Sequence, residues 1–251
     1  MGKRISKLFK KFVIYTLKMK LSVVLAAHNE EENIAKLIPG LIKSYNKHIL
    51  EILVVNDASA DKTEEVARKL MKKHSKIKLI NRQPPCGVGR ALKDGFRNVS
   101  EKADWVLTMD SDFIHNVPDL QRFIEKTKEG YDLVIGSRYM PEGKLVNYPL
   151  LKRITNRMYH ILLRNVLGIK CHDLTNNFKL YKAEIVKSIK WKSNDFAINA
   201  ETGLFPYVKG YKVVEIPVAW IQRSHGKSDF KVLGLAPSYL KVLSRVLFRK
   251  V

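Results

Sequence analysis

The first half of the chain alternates between short apolar runs and helical stretches. The apolar runs, each of which predicts a buried strand, lie at 21–27, 51–56, 77–81, 105–109 and 131–136. The stretches between them predict helices that begin at 29–32 and that cover 61–73, 87–99 and 118–128, with Asp61 as an N-cap. Strands that alternate with helices are typical of a parallel sheet covered on both faces. The pattern therefore predicts an α/β fold with a mostly parallel, Rossmann-like sheet.

The second half of the chain lacks this regular alternation. It predicts a long loop over 137–149, a basic helix over about 150–167, a helix near 199–208 and a strand over 212–220. There is no internal repeat and no low-complexity linker, and 251 residues are within reach of one domain. We therefore predict one α/β domain over 21–230, an N-terminal arm at 1–20 and a C-terminal helix at 231–251.

The chain is strongly basic. Lys and Arg number 46 against 24 Asp and Glu, which gives a net charge of +22. This excess predicts a polyanionic partner, which can be nucleic acid, an anionic membrane or a phosphorylated substrate. The two cysteines, Cys86 and Cys171, are too few for a disulfide framework and favour a reducing, cytoplasmic compartment. No run of 18 apolar residues is present, so the sequence predicts no membrane-spanning segment.

Both ends of the chain are basic and have the spacing of amphipathic helices. At the C-terminal end Leu240, Leu243, Val246 and Leu247 share one stripe, and Lys241, Arg245 and Arg249 share the opposite face. Such helices lie on anionic membranes, although a terminal helix packed on the domain has the same pattern. The basic stretches are interleaved with aliphatic residues more than with stacking aromatics, so we expect no nucleic acid partner. We predict a peripheral protein on the cytoplasmic face of a membrane.

Polar residues follow three of the predicted strands. His28, Asn29 and Glu30 follow the first strand, Asn56 and Asp57 end the second, and Asp110, Ser111 and Asp112 follow the fourth. Ligands of open parallel sheets bind beyond the carboxyl ends of the strands. Two carboxylates together with substrate phosphates commonly hold Mg²⁺ or Mn²⁺, which makes Asp110 and Asp112 a candidate metal pair. The alternative for this Asp-x-Asp is a polar loop or a helix cap.

Taken in order, the motifs resemble a known family. The run AAHNEEENI, VVNDASADKT, GVGRALKDGF, MDSDFIHN and GSRY resembles family 2 glycosyltransferases of the GT-A fold. The later segments DLTNNFKLY, EIPVAW and RSHGKSDF are similar to the polyprenol-phosphate (dolichol-phosphate) mannosyltransferase branch. The resemblance covers about residues 21–230. It implies inverting transfer of a sugar from a nucleotide donor with a divalent metal.

The resemblance and the strand-end chemistry together give the candidate site residues. The nucleotide-binding candidates are Ala26, Ala27, His28, Asn29, Glu30, Asn56, Asp57, Gly89, Asp110 and Ser111. The catalytic candidates are Asp112, Arg138 and Arg223, and the metal candidates are Asp110 and Asp112. The candidates for binding the acceptor or a phosphate are Arg138, Arg153, Arg157, Asp173, Glu201, Arg223 and Lys227. For Asp173 and Glu201, a buried ion pair with an arginine is an equal alternative.

Several positions depart from the family pattern. His28 stands where Tyr is common, Asn56 where Asp is common, and Ile114 where some relatives have a Gln metal ligand, which leaves water as a candidate third ligand. The TNN at 175–177 replaces the commoner TSG, so the identity of the sugar and of the acceptor stays open. The three tryptophans, among them Trp220, are interpreted as core or interface residues.

Acceptor chemistry separates two enzymatic hypotheses. A lipid phosphate is already ionised and needs no strong base, whereas a hydroxyl acceptor needs a general base such as Asp173 or Glu201. We predict transfer of a hexose, with mannose from GDP-mannose favoured and a UDP-sugar as the alternative donor, to a polyprenyl (dolichyl) phosphate. The alternatives are a family 2 enzyme with a hydroxyl acceptor and a non-catalytic basic protein that binds membrane or nucleic acid.

Overall fold

The predicted alternation of strands and helices is present in the computed structural model, which describes residues 19–221 and 232–248. Most of the predicted arm at 1–20 therefore lies outside the described residues. The first half contains β1 (Leu21–Ala27), α1 (Glu31–Tyr45), β2 (Ile49–Asp57), α2 (Thr63–Lys73), β3 (Ile77–Arg82), α3 (Val88–Arg97), β4 (Trp105–Thr108), a 3₁₀ turn (Ile114–Asn116) and α4 (Leu120–Lys128). Helix α2 begins two residues after Asp61, whose Oδ1 accepts a hydrogen bond from the backbone N–H of Thr63 at 2.9 Å.

The second half is more irregular, as the sequence predicts. It contains β5 (Leu133–Ser137), β6 (Lys144–Val146), α5 (Leu150–Leu167), β7 (Lys179–Lys182), α6 (Ala183–Ser188), α7 (Ile198–Val208), β8 (Val213–Pro217), β9 (Ala219–Ile221) and α8 (Val232–Leu247). The predicted strand over 212–220 is two strands. Pro217, which has no N–H to donate, ends β8, and the chain then moves to β9, which pairs with β6.

Seven strands form the main sheet in the order β3-β2-β1-β4-β7-β5-β8. All neighbours are parallel except β7, which runs antiparallel to both β4 and β5. The predicted α/β class with a mostly parallel sheet is confirmed. Strand β7 is not predicted, because its four residues are short and carry a lysine at each end. Its insertion brings the segment before it, 173–177, beside the end of β4.

Two apolar layers cover the sheet. Leu21, Val23 and Leu25 of β1 pack in the layer that contains α1, and Val24 packs in the layer that contains α3. Both faces of β1 are buried, so its sequence is a continuous apolar run. Leu163 of α5 joins the second layer, which places α5 and α8 on the same side of the sheet as α3.

The C-terminal helix α8 differs from the predicted amphipathic pattern. Leu243 is buried in the core, whereas Leu240 and Leu247 of the same predicted stripe are exposed. Arg245, predicted on the polar face, contacts the fully buried Glu201 at 2.7 Å. A buried carboxylate requires a partner, and Arg245 supplies it. The helix is therefore anchored to the domain through Leu243 and Arg245.

Candidate active site at the strand ends

A cavity of about 1110 Å³ lies at the carboxyl ends of β1, β2 and β4, and residues of α5 and α8 also line it. The predicted site residues that line it are Ala26, Ala27, His28, Glu30, Asp57, Asp110, Ser111, Asp112 and Arg138. The predicted residues outside its lining are Asn29, Asn56, Gly89, Arg153, Arg157, Asp173 and Glu201. Arg223 and Lys227 lie outside the described residues, so their predicted roles stay predictions.

Asn29 shapes the loop after β1 and does not line the cavity. It adopts a left-handed backbone conformation, with φ of +55°, which Asn tolerates better than most residues. Its Oδ1 accepts hydrogen bonds from the backbone N–H groups of Ala60 at 2.8 Å and Asp61 at 3.3 Å. These contacts join the loops after β1 and β2 and leave His28 and Glu30 on the cavity wall. Asn29 therefore has a positioning role in this loop, and its predicted nucleotide contact stays a prediction.

Asp57 ties together three segments of the cavity wall. It is 3% exposed, its Oδ1 forms an ion pair with Arg82, and its Oδ2 accepts a hydrogen bond from the backbone N–H of Gly87 at 2.6 Å. Arg82 also contacts Asp94 at 2.7 Å. Desolvation alone would lower the pKa of Arg82, but the two carboxylates raise it above its ordinary value. Any base or ribose group that contacts Asp57 therefore shares its carboxylate with Arg82 and with the backbone N–H of Gly87.

Asn56 and Gly89 have packing roles, and their predicted contact with the nucleotide stays a prediction. Asn56 is buried, its Nδ2 donates to the Oδ1 of Asn81, and its Oδ1 accepts from the backbone N–H of Ser59. A Cβ at position 89 would lie 2.6 Å from the backbone oxygen of Ser193. Gly89 therefore lets α3 approach the segment before α7, and Gly87 lines the cavity in its place.

Asp110 and Asp112 line the same cavity on the turn after β4. The backbone N–H of Phe113 donates to the carbonyl of Asp110 at 3.1 Å, which supplies the turn that two alternating carboxylates need to approach one ion. The Oδ1 of Asp110 accepts a hydrogen bond from the Nδ2 of Asn177 at 2.8 Å. Within the described ranges, no group of three or more Asp, Glu, His or Cys side chains forms a metal site. The two carboxylates are hard oxygen donors that fit Mg²⁺ or Mn²⁺ when phosphate and water complete the coordination.

Arg138 lines the cavity and is held from behind by Asp173. Its Nε and Nη2 donate to the two oxygens of Asp173 at 2.7 and 2.9 Å, and its backbone N–H donates at 3.0 Å. Burial alone would raise the pKa of the fully buried Asp173, but the guanidinium outweighs it and holds that pKa below its ordinary value. Asp173 does not line the cavity, so its predicted acceptor contact is corrected to an ion pair that positions Arg138.

Glu201 and the two arginines of α5 also lie away from the cavity lining. Glu201 is fully buried, pairs with Arg245, and accepts hydrogen bonds from the backbone of the segment before α7. Arg153 is exposed to solvent, and the guanidinium of Arg157 lies 5.2 Å from the centre of the Tyr139 ring. The full burial of Glu201 corrects its predicted phosphate contact, whereas the predicted contacts of Arg153 and Arg157 stay predictions. Lys152 of the same helix does line the cavity.

A buried lysine holds the first turn of α7, which carries part of the cavity lining. Lys179 is 0% exposed, and its Nζ donates to the carbonyl of Asn199 at 2.7 Å and to the Oγ1 of Thr202 at 2.9 Å. Burial lowers the pKa of Lys179 to about 7. These contacts fix the first turn of α7, where Asn199 lines the cavity.

The sequence profile of Glycosyl transferase family 2 matches residues 22–190, which is more than half of the chain. The chain belongs to glycosyl transferase family 2. It is 32% identical over 219 residues to a dolichol-phosphate mannosyltransferase of Pyrococcus furiosus, a match that covers 85% of this chain and 60% of that protein. It is also 28% identical over 225 residues to a polyprenol monophosphomannose synthase of Mycolicibacterium smegmatis, covering 88% and 84% of the two chains. The predicted family is confirmed.

The fold also matches solved structures. Glucosyl-3-phosphoglycerate synthase of Mycobacterium tuberculosis, solved with Mn²⁺, UDP-glucose and phosphoglyceric acid, has a TM-score of 0.68 at 21% identity. The match covers 91% of this chain and 80% of that one. The complex of the same protein with Mg²⁺ and UDP has a TM-score of 0.67. These similarities confirm the predicted GT-A type of α/β fold.

In this family 2 chain, the sequence analysis placed Arg153 and Arg157 of α5 among the acceptor candidates but missed the apolar and amide residues of α5 and α8 that line the cavity. The residues of these helices that line it include Asn156, Met158, Tyr159, Ile161, Leu162, Leu235, Ala236, Tyr239 and Leu240. Helical spacing of apolar residues in α5 is a signal that could have identified this wall. Trp220, interpreted above as a core or interface residue, also lines the cavity, and its ring stands perpendicular to Tyr148 with centres 4.8 Å apart.

Proposed function

We propose that the chain transfers a hexose, with mannose favoured, from a nucleotide sugar to a polyprenyl phosphate. The observation that carries the proposal is the extent of the cavity, which runs from Asp110 and Asp112 to an apolar flank on α5 and α8. A polyprenyl phosphate combines an anionic head with an apolar chain, so it needs both environments. The names of the two mannosyl-transferring relatives support the same acceptor class.

The flank is apolar and open to solvent. Met158, Ile161 and Leu240 line the cavity, and their exposed fractions are 63%, 51% and 53%. Exposed apolar side chains that adjoin a cavity mark a surface for an apolar ligand or for a membrane. Lys152 lines the same cavity and supplies a cation for an anionic head group. The flank therefore suits a prenyl chain attached to a phosphate.

The distribution of acids favours a phosphate acceptor over a hydroxyl acceptor. A hydroxyl acceptor needs a general base, for which Asp173 and Glu201 were the named candidates. Both are fully buried, bonded to arginines and outside the cavity lining. In the part of the chain that the structure describes, the acids on the lining are Glu30, Asp57, Asp110 and Asp112. Glu30 accepts a hydrogen bond from the Nδ2 of Asn33, Asp57 is bonded to Arg82, and the last two are the candidate metal pair. An acceptor that is already ionised fits this arrangement.

Asp110 and Asp112 would hold Mg²⁺ or Mn²⁺ in this proposal. Such an ion stabilises the negative charge that develops on the departing nucleoside diphosphate. Asn177 orients the carboxylate of Asp110, and Asp173 holds the guanidinium of Arg138 on the cavity wall, where it would meet phosphate oxygens. The nucleotide would lie against the ends of β1 and β2, with GDP favoured and UDP as the alternative.

We propose that the chain works as a peripheral protein on the cytoplasmic face of a membrane. The acceptor class requires proximity to lipid, and the apolar flank beside Lys152 suits an anionic surface. The basic segments at 1–20 and 231–251 favour the same location. Among the described helices, none combines the length and the apolar character needed to cross a bilayer.

The direct test is transfer of labelled sugar into an organic-extractable lipid. The donors are GDP-mannose, UDP-glucose and UDP-N-acetylglucosamine, each with polyprenyl phosphate and with Mg²⁺, Mn²⁺ or EDTA. We expect label in the lipid phase from one donor, loss of that label with EDTA, and a decrease of roughly 100-fold or more in Asp112→Asn. Asp119→Asn, at a carboxylate outside the cavity lining, is the matched control. Metal-dependent nucleotide binding without lipid label from any donor would overturn the proposed acceptor.

A further inference from the structure

Three asparagine side chains on the cavity lining, Asn156, Asn177 and Asn199, have an amide oxygen that no described group satisfies. Asn156 lies on α5 and is half-buried, whereas the other two are buried. Asn177 and Asn199 are 2% and 8% exposed, and both line the cavity. The Oδ1 atom of each is buried and has no hydrogen-bond partner within the described residues. A buried acceptor without a partner is costly, so such atoms usually meet a donor from a ligand or from water.

The contact with Asp110 fixes the orientation of the Asn177 amide. Its Nδ2 donates to the Oδ1 of Asp110 at 2.8 Å, and an ionised carboxylate can only accept. The amide oxygen must therefore lie on the other side, turned away from that carboxylate oxygen. The neighbouring Asn176 is different, because its Nδ2 donates to the carbonyl of Gly136 and its Oδ1 accepts from the backbone N–H of Phe178. Of this pair, only Asn177 presents an unused oxygen.

Asn199 is held in place by its backbone. Its carbonyl accepts the hydrogen bond from the buried Lys179, which also contacts Thr202 one turn further along α7. The side chain of Asn199 takes no part in these contacts, and its Oδ1 is buried without a partner in a residue that lines the cavity. The position is therefore rigid while the acceptor is unused, which is the arrangement of a group prepared for a ligand.

The unused atoms select the chemistry of the ligand. Both are acceptors, which O–H or N–H donors or a cation can satisfy. The Asn177 oxygen is turned away from the Asp110 oxygen that its own Nδ2 contacts, which favours a donor group of the ligand. Ionised phosphate groups offer only acceptors and do not satisfy them. The hydroxyl groups of a hexose are donors, and in the proposed function the hexose is attached to the diphosphate beside Asp110. Resting on that proposed function, we propose that Asn177 and Asn199 bind hydroxyl groups of the donor hexose and so determine which sugar is transferred.

The test compares a nucleotide with and without its sugar, in the absence of any acceptor. We would measure the affinities of GDP and GDP-mannose, and of UDP and UDP-glucose, by calorimetry with Mg²⁺ for the wild type, Asn177→Ala and Asn199→Ala. We expect Asn199→Ala to weaken binding of the accepted nucleotide sugar by about tenfold and to leave the affinity for the nucleoside diphosphate within about twofold of wild type. Asn98→Ala is the matched control, because Asn98 is an exposed asparagine directly after the C-terminal end of α3.

Sugar analogues sharpen the result. Single-deoxy analogues of the accepted donor each lack one hydroxyl. The analogue that lacks the partner of Asn199 should bind the wild type about tenfold more weakly and should bind Asn199→Ala no more weakly than the full donor does. Equal losses for the nucleoside diphosphate and the nucleotide sugar would overturn the proposal and assign the amides to the metal or the nucleotide. If the losses in affinity from Asn199→Ala and from removing a hydroxyl add up fully for every deoxy analogue, the proposal is overturned as well.

The outcome is separable from the outcome of the transfer assay. The binding measurements contain no acceptor, so they stay readable when no lipid product forms. Conversely, unchanged sugar binding in both variants beside normal lipid transfer would reject only the sugar-binding role. Asn177→Ala removes a contact with Asp110 as well, so Asn199→Ala, which keeps that contact, decides the question if the other variant loses stability.

Discussion

Two arginine–carboxylate pairs each place one member on the cavity lining. Arg82 pairs with Asp57 on the side that we call the nucleotide wall, and Arg138 pairs with Asp173 on the side that we call the acceptor wall, both named after the proposed function. The arginine side chains are 11% and 10% exposed, so their burial is similar. They differ in their partners. Arg82 has a second carboxylate in Asp94, whereas within the described residues Asp173 supplies every carboxylate oxygen that Arg138 contacts. The acceptor wall therefore depends on a single ion pair.

The two walls also differ in how they are assembled. Asp57 and Arg82 occupy equivalent positions in β2 and β3, which are adjacent parallel strands in register. Arg138 and Asp173 meet because β7 enters the sheet antiparallel between β4 and β5. The backbone N–H of Asp173 in turn donates to Glu215, 42 residues further along the chain. The nucleotide wall follows from regular β–α–β geometry, and the acceptor wall follows from one irregular insertion.

We expect the largest loss of stability from Asp173→Asn. The substitution leaves the guanidinium of Arg138 buried with no ionised partner among the described residues, and breaking such a pair costs about 3–5 kcal/mol. We expect the free energy of unfolding in urea to fall by this amount. The double variant Arg138→Met with Asp173→Leu should regain much of the loss, because it removes both charges from the interior. A loss under about 1 kcal/mol for Asp173→Asn would show that the pair is not isolated.

Asp57→Asn should have a smaller effect on the other wall. Arg82 keeps Asp94, whose side chain is 30% exposed, so its charge is still partnered. We expect a loss of about 1–2 kcal/mol in the same urea experiment, together with weaker nucleotide binding, because Gly87 loses an ionised acceptor. Asp94→Asn, which keeps Asp57, should cost less than about 1 kcal/mol. A loss for Asp57→Asn equal to that for Asp173→Asn would contradict the role given to Asp94.

The sequence predicts the wall built by regular β–α–β geometry better than the wall built by the insertion of β7. The ends of β1, β2 and β4 place His28, Asp57, Asp110 and Asp112 at one edge, and the strand pattern alone predicts that. It does not predict that Asn29 bonds to the next loop, because that depends on one left-handed residue.

On the acceptor wall the sequence predicts helix α5 at its observed bounds, but not which side chains of that helix reach the cavity. For Asp173 and Glu201 the sequence left two alternatives, an acceptor contact or a buried ion pair with an arginine. The choice between these alternatives requires the positions of β7 and α8. Both elements are placed by contacts between distant segments. Local periodicity contains no information about such contacts.

The smallest effect concerns the histidine that joins α5 to the acceptor wall. His160 is 3% exposed, its Nδ1 lies 2.9 Å from the carbonyl of Asn156, and its Nε2 accepts the backbone N–H of Leu174 at 2.9 Å. A backbone N–H can only donate, so Nε2 is unprotonated and the proton is on Nδ1. Desolvation is the largest influence on His160 and lowers its pKa, and the charge of Arg138 lowers it further. The charges of Asp173 and Glu215 act to raise the pKa but do not outweigh the desolvation. The folded protein therefore favours the neutral ring.

This assignment fixes the sign of a pH effect. Because the folded pKa lies below the ordinary value of about 6.5, the stability from neutral His160 is complete above that pH and decreases as the unfolded chain takes up a proton below it. Between pH 7 and pH 5.5 we expect wild type to lose about 1 kcal/mol that His160→Leu does not lose, measured as the free energy of unfolding in urea. His115→Asn, at an exposed histidine, should keep the wild-type dependence. If His160→Leu and wild type change equally with pH, the acceptor wall is not held by a neutral imidazole, and the contact between Nε2 and Leu174 does not form in solution.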